Sequence, residues 1–180
     1  MVWSTRTLLA GSGNPPHAAH FFAAAVAALR VLGARGILLT KHPEQLPAAW
    51  QMPEHVAHFT FAGLEALLPR CKAVVYNGGI GTLARACHAA VPQLVIPASF
   101  DQPDNADRLC AMGVAAQIPM RRFTAARAKS VAAVMRRLTE DGGVAVKCAE
   151  LAVRCEASLG HGDGLREAAG HVLASMQETH

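Results

Sequence analysis

Apolar residues return along this chain in two rhythms, and the two alternate. Phe22, Val26, Leu29 and Leu32 recur at the three-to-four-residue spacing of one helix face, in a long helix that ends near Gly33. Gly36-Ile37-Leu38-Leu39-Thr40 is then a short unbroken run of the kind a buried strand shows, so the opening pattern is β-α-β. His42-Pro43-Glu44-Gln45-Leu46-Pro47 reads as a turn-rich connection, 58–61 as a short strand and 64–68 as a helical turn. Ala73, Val74 and Val75 predict another buried strand, stopped by glycines. Leu83, Ala86, Cys87 and Ala90 follow helical spacing, in a helix that Thr82 opens. Residues 93–96 predict a further strand, and Ala106, Leu109, Cys110 and Gly113 a further helix.

Beyond about Ile118 the strand rhythm stops. Thr124 is placed to cap a helix whose inner stripe is Val131, Val134, Met135 and Leu138. Cys148, Leu151, Ala152, Cys155 and Leu159 make a second stripe, residues 160–164 break it, and Leu165, Ala168, Val172, Leu173 and Met176 make a last one. Strand and helix alternating over 5–120 predict an α/β fold, a doubly wound parallel sheet with helices on both faces. A helical tail over 124–178 completes one domain spanning 1–180.

The chemistry gathers where strand rhythm hands over to helix. In Tyr76-Asn77-Gly78-Gly79-Ile80-Gly81-Thr82 a strand ends in a glycine turn that leads directly into a helix start. Free N–H groups and the positive end of the helix dipole attract an anion there. With no side chain at Gly78, Gly79 or Gly81, a diphosphate can approach the backbone, and the Thr82 hydroxyl adds a donor. One strand later Asp101-Gln102 stands at the carboxyl end of the sheet, where open α/β sheets bind ligands. An ionised Asp accepts from vicinal hydroxyls and Gln both donates and accepts, which suits the edge of a sugar. A competing reading has the glycines serve helix packing and Asp101 and Gln102 cap the next helix, with Pro103 in its first turn. Capping alone leaves the glycine turn unexplained, so a site for a phosphate carrying a sugar is the favoured reading.

These residues resemble a known family, the C-terminal, donor-binding domain of two-domain glycosyltransferases of family 1 with the GT-B fold, of the bacterial macrolide, sterol and rhamnosyl-transferase type. Asn77-Gly78-Gly79-Ile80-Gly81-Thr82 resembles the phosphate-binding His-Gly-Gly-x-Gly-Thr of that family, and 90–105 resembles its Gly-Val-Pro-Gln-Leu-Val-x-Pro followed by Asp-Gln-x-x-Asn. Leu9-Ala10-Gly11-Ser12-Gly13-Asn14 is similar to the first strand and loop of that domain, and the likeness runs through Leu67-Leu68-Pro69-Arg70-Cys71 to Gly113. The resemblance implies a Rossmann-like half of a GT-B enzyme. It implies that Gly79, Gly81 and Thr82 bind the donor diphosphate, that Ser12 and Gly13 line the same pocket, and that Asp101 and Gln102 hold the sugar. Phe61, Ala62, Gly63 and Leu64 would lie along the base. Two positions depart from the pattern. Asn77 replaces a phosphate-binding histidine with a shorter, uncharged amide, and Arg85 stands where plant members carry a ribose-binding glutamate.

Composition narrows this further. The chain has 180 residues, 52% of them hydrophobic, enough for one core but about half of what a two-domain transferase needs, so an N-terminal acceptor domain is expected to be absent. No apolar run reaches about 18 residues and the N-terminus lacks the apolar segment of a secretory signal. Cys71, Cys87, Cys110, Cys148 and Cys155 include no Cys-x-x-Cys pair and read as small core residues of a reducing, cytoplasmic protein. The pairs His17/His20 and His55/His58 lack a third ligand, so no metal is expected. Net charge is +4, with Arg121, Arg122, Arg127, Lys129, Arg136 and Arg137 close together. Few aromatics accompany them, which argues for a solvated helix face and against nucleic acid, while peripheral contact with an anionic membrane stays compatible.

The function implied by the resemblance is the donor-binding half of an inverting glycosyltransferase that moves a hexosyl group from a UDP- or dTDP-sugar to a hydroxyl. The donor is a substrate, and no cofactor is expected. No catalytic residue is assigned to this chain, because the family's general base lies in the other domain. The alternative is a non-catalytic or truncated donor-binding subunit that needs a separate acceptor-domain chain or self-association. An epimerase or hydrolase on a similar sheet is disfavoured by the lack of an internal acid and base pair.

Overall fold

The computed structural model describes residues 7–11 and 17–160. Ser12 and Gly13, and the helical stripe beyond residue 160, lie outside the described residues. Six strands form one sheet: β1 (Thr7–Gly11), β2 (Arg35–Leu39), β3 (Val56–Phe59), β4 (Ala73–Tyr76), β5 (Gln93–Val95) and β6 (Ala115–Gln117), in the order β3-β2-β1-β4-β5-β6. Every pairing is parallel. The order reverses between β1 and β4, and a doubly wound sheet opens its ligand crevice at that point, outside the carboxyl ends of the strands.

The helices are α1 (Ala18–Leu32), α2 (Leu64–Leu67), α3 (Ile80–His88), α4 (Gln102–Ala111), α5 (Ala128–Glu140) and α6 (Gly142–Gly160). Two cores result, one on each face of the sheet, and the strands alternate between them with the period of two that a pleated strand imposes. In β4, Ala73 and Val75 enter one core while Val74 and Tyr76 enter the other; Leu94 and Val95 of β5 divide in the same way. The first core is the α1 and α5 side. Phe21 and Phe22 meet edge to face with centroids 5.3 Å apart, and Phe123 lies 5.2 Å from Phe21. Each such side chain stabilises the fold by about 1.5–3 kcal/mol relative to exposure. The second core collects Ala86 and Cys87 of α3, Ala106 and Leu109 of α4 and Cys148 of α6.

The spacing of apolar residues predicts most of this. Phe22, Val26 and Leu29 are buried on α1, and Gly33 ends it in the left-handed conformation, φ 58°. Val131, Met135 and Leu138 are buried on α5 and its arginines face out. Three details differ. The third strand is two residues earlier than the apolar run suggests, because Val56 pairs with Gly36 and is buried, and Phe61 lies beyond the strand. The helix after β4 begins at Ile80 with Gly79 at its N-cap, so Thr82 sits in the first turn and does not open it. Thr124 precedes a 3-10 turn over Ala125–Arg127 and makes no capping bond with its side chain.

Candidate functional site

The turn after β4 is shaped by one glycine at which any side chain would be strained. Gly78 has φ +93°, and a Cβ there would stand 2.9 Å from Val95 Cγ1 and 3.3 Å from the Gln102 carbonyl oxygen. The turn is therefore pressed against β5 and the start of α4. Gly79 and Gly81 meet no such obstacle, so their bare backbones open outward. The Gly79 N–H donates to Asn77 Oδ1 at 3.3 Å, and Thr82 N and Leu83 N both donate to the Gly79 carbonyl. Among the hydrogen bonds of the described residues, none involves the N–H groups of Ile80 or Gly81, the first two of α3. These two amides, the dipole of α3 and the Thr82 hydroxyl make a place for an anion. Asn77 and Thr82 line a cavity of about 170 Å³ with Gly11, Leu39, Leu64, Val74 and Tyr76. Beneath it Tyr76 donates to Gln93 Oε1 at 2.6 Å, and Gln93 Nε2 donates to Cys87 Sγ at 3.3 Å. Burial pushes the Tyr76 phenol up, so it stays a donor.

The first turn of α4, which follows β5, meets this turn directly. Asn105 Nδ2 donates to the Gly78 carbonyl at 3.0 Å and to Asp101 Oδ2 at 2.8 Å. Asp101 occupies the N-cap position of α4 but makes no side-chain capping bond, and its carboxylate is exposed. Gln102 is 9% exposed; its Oε1 accepts from the N–H groups of Ala98 and Ser99 at 3.0 and 3.3 Å, so that oxygen shapes the loop. Phe100, beside Asp101, takes φ 56° and is 94% exposed, an unusual backbone state for a bulky residue.

A larger cavity, about 470 Å³, opens at the ends of β2 and β3 and is lined by Thr40, Phe61, Ala62, Leu64, Glu65 and Arg85 among others. Phe61 and Ala62, expected near a nucleotide base, are on its wall. Arg85 Nε donates to Glu65 Oε1 at 2.6 Å, and Arg85 Nη1 donates to the Gly81 carbonyl at 2.9 Å. The guanidinium holds the Glu65 carboxyl below its ordinary range. The structure thus gathers Asn77, Gly78, Gly79, Gly81, Thr82 and Asp101 along adjoining strand ends, with Phe61 and Ala62 across Leu64 from them. Asn105 is a site residue that the spacing does not single out, although it closes the Asp-Gln-x-x-Asn pattern. Glu65 gives no signal at all in the sequence.

Comparison with known proteins adds an independent line. Residues 26–159 match the family model described as Erythromycin biosynthesis protein CIII-like, C-terminal domain. O-mycaminosyltylonolide 6-deoxyallosyltransferase of Streptomyces fradiae is 38% identical over 129 residues, 71% of this chain and 28% of that protein. Tylactone mycaminosyltransferase of the same organism is 35% identical over 105 residues, 58% of this chain and 23% of that protein. The chain spans about a quarter of the length of these curated relatives. Among solved structures, the spinosyn rhamnosyltransferase SpnG complexed with spinosyn aglycone superposes with a TM-score of 0.74 at 25% identity, covering 86% of this chain and 42% of that one.

Proposed function

This chain belongs to the family of erythromycin biosynthesis protein CIII-like C-terminal domains, found in glycosyltransferases of GT-B type, and from that premise we propose that it binds a nucleoside-diphosphate sugar. The observation that carries the reading is the Asn105 side chain, which bonds the glycine turn and Asp101 together and so makes an anion place and a hydroxyl reader one site. The diphosphate takes the Ile80 and Gly81 amides and the Thr82 hydroxyl. Asn77 keeps the turn in shape through its bond to Gly79. Asp101 accepts from sugar hydroxyls, with Gln102 holding the loop that presents it, and the nucleoside extends toward Phe61. The relatives' names, a mycaminosyltransferase and a deoxyallosyltransferase, support a hexosyl donor.

The reaction this serves is transfer of the hexosyl group to an acceptor hydroxyl with inversion. As the glycosidic bond breaks, charge grows on the diphosphate, and N–H groups already aimed at it stabilise that charge with no reorganisation. The acceptor's proton leaves to a base on another domain or chain. Titration with UDP and dTDP during thermal unfolding tests the reading. A binder gains about 2.7 kcal/mol at a ligand concentration one hundred times Kd, so the midpoint climbs with concentration; a flat response at millimolar nucleotide refutes it.

A second reading, a donor-binding subunit that completes its cleft with a separate acceptor-binding chain, is favoured by one observation. Phe61 (77% exposed), Ile80 (62%) and Phe100 (94%) all follow strand ends on the side of the site. Large apolar groups clustered on one side of a domain are commonly covered by a partner. Native mass spectrometry after co-expression separates a chain that acts with such a partner from one that self-associates.

A further inference from the structure

Resting on the nucleotide-sugar reading, we propose that Glu65 is a specificity residue that accepts a hydrogen bond from the nucleoside part of the donor, and that Arg85 is the positioning residue that holds it. Among the described residues lining the larger cavity, Glu65 contributes the one carboxylate; the other side chains there that can carry charge are Lys41, His42 and Arg85. His42 is engaged outside the cavity lining, its Nδ1 lying 3.0 Å from Glu44 Oε1. Thr40 Oγ1 is occupied too, donating to Gln45 Oε1 and accepting from His42 N. The Glu65 carboxylate is exposed and accepts from Arg85 Nε and from its own backbone N–H, two of the roughly four acceptor sites a carboxylate has, so it can accept from a ligand as well.

An ionised carboxylate only accepts hydrogen bonds, so it selects a ligand group with a hydrogen to give. The diphosphate of a nucleotide sugar, esterified at both ends, has none and would be repelled. The nucleoside has two kinds, ribose hydroxyls and the imide N–H of uracil or thymine, and Phe61 on the same wall offers a flat apolar surface for the rest of it. Arg85 resolves the electrostatic conflict. Its guanidinium neutralises Glu65 on one side and bonds the Gly81 carbonyl on the other, so the carboxylate sits close to a phosphate turn without opposing the anion. One side chain thereby fixes the distance between the place for the diphosphate and the group that reads the nucleoside.

The test is calorimetric binding of UDP, its 2′-deoxy, 3′-deoxy and 3-methyl analogues, and inorganic pyrophosphate to the wild-type chain and to Glu65→Gln. Glu65→Gln is expected to weaken UDP about tenfold, the loss of one hydrogen bond to a charged acceptor, while pyrophosphate binds unchanged or tighter as Arg85 is released. The analogue on which Glu65→Gln no longer has an effect identifies the donor as a ribose hydroxyl or the imide. Arg85→Ala, which leaves the carboxylate unneutralised, is expected to weaken pyrophosphate and UDP together, and more so at low salt. If Glu65→Gln leaves UDP binding unaltered, or lowers UDP and pyrophosphate by the same factor, the pair is a surface ion pair and the inference is overturned. If the wild-type chain binds neither UDP nor pyrophosphate, the nucleotide-sugar reading fails and takes this inference with it.

Discussion

The side-chain amide of Asn105 lies 3.0 Å from the carbonyl oxygen of Gly78, a residue 27 positions earlier and on the far side of β5. Gly78 is buried, so this carbonyl has little access to water, and the amide satisfies it while also donating to Asp101. Replacing Asn105 by Ala removes both bonds and is expected to cost about 1–3 kcal/mol in urea unfolding. Asn105→Asp is expected to be at least as damaging, because it sets a second carboxylate against Asp101. An unchanged unfolding midpoint in both variants would show that the bond does not hold the turn and α4 together.

Asp101 itself makes no capping bond, so its removal affects binding more than folding. Asp101→Ala is expected to keep the wild-type affinity for free nucleotide diphosphate and to lose about tenfold for the nucleotide sugar, the worth of one charge-assisted hydrogen bond. Parallel titrations with UDP and a UDP-hexose check this. A variant that loses both ligands equally, or that mainly loses stability, contradicts the sugar-reading role.

The glycines of the turn are expected to separate by function. Gly78→Ala forces a side chain onto a φ of +93° and against Val95, and should destabilise by ~2–4 kcal/mol. Gly79→Ala meets only Asn77 Oδ1, at 3.5 Å, and should fold with wild-type stability. Its methyl group obstructs the approach to the α3 amides, so nucleotide binding should drop. Unfolding curves and binding isotherms on the same two variants check both statements.

Ala90 carries a φ of 54° in the link from α3 to β5, a conformation that costs an L-residue roughly 1–2 kcal/mol. Glycine is at ease there. Ala90→Gly is expected to raise stability by about 0.5–1 kcal/mol, the backbone gain less the extra entropy of the unfolded glycine. Denaturant midpoints decide, and a decrease would mean that the Ala90 methyl packs more usefully than its position suggests.

Burial pushes the thiols of Cys71 and Cys148 up to about 11, whereas an unfolded cysteine ionises at about 8.5. Raised values favour the protonated fold, so this contribution is complete below about pH 8.5 and is lost as pH rises toward about 11. The urea midpoint should therefore fall over that window, and the fall should be shallower in Cys148→Ala. Neither thiol should react appreciably with iodoacetamide at neutral pH in the folded protein.

How much of this was legible in the sequence depends on the range of the interaction. Phe22, Val26 and Leu29 revealed α1 because helix burial repeats locally, and Ala73-Val74-Val75 revealed β4 because a strand covered on both faces is apolar without interruption. Local spacing puts the start of β3 too late, because Val56 owes its burial to pairing with Gly36, a contact that no local spacing encodes. The same holds at the site. Gly78 to Thr82 could be read from residue type, since glycine before a helix has few uses. Glu65 and Arg85 are 20 residues apart and look like two ordinary surface charges until the chain folds. Gln102 was legible as a polar residue at a strand end, but that its oxygen would hold the Ala98 and Ser99 amides required the loop's shape.

The ordering of strands has one more consequence. The groups proposed to meet a guest ride on the rim, while Phe21, Leu94, Met135 and their neighbours fill the interior below it. The rim stretch 97–101, between β5 and α4, sends no buried side chain into that interior, so a change of guest made there can leave the packing below intact.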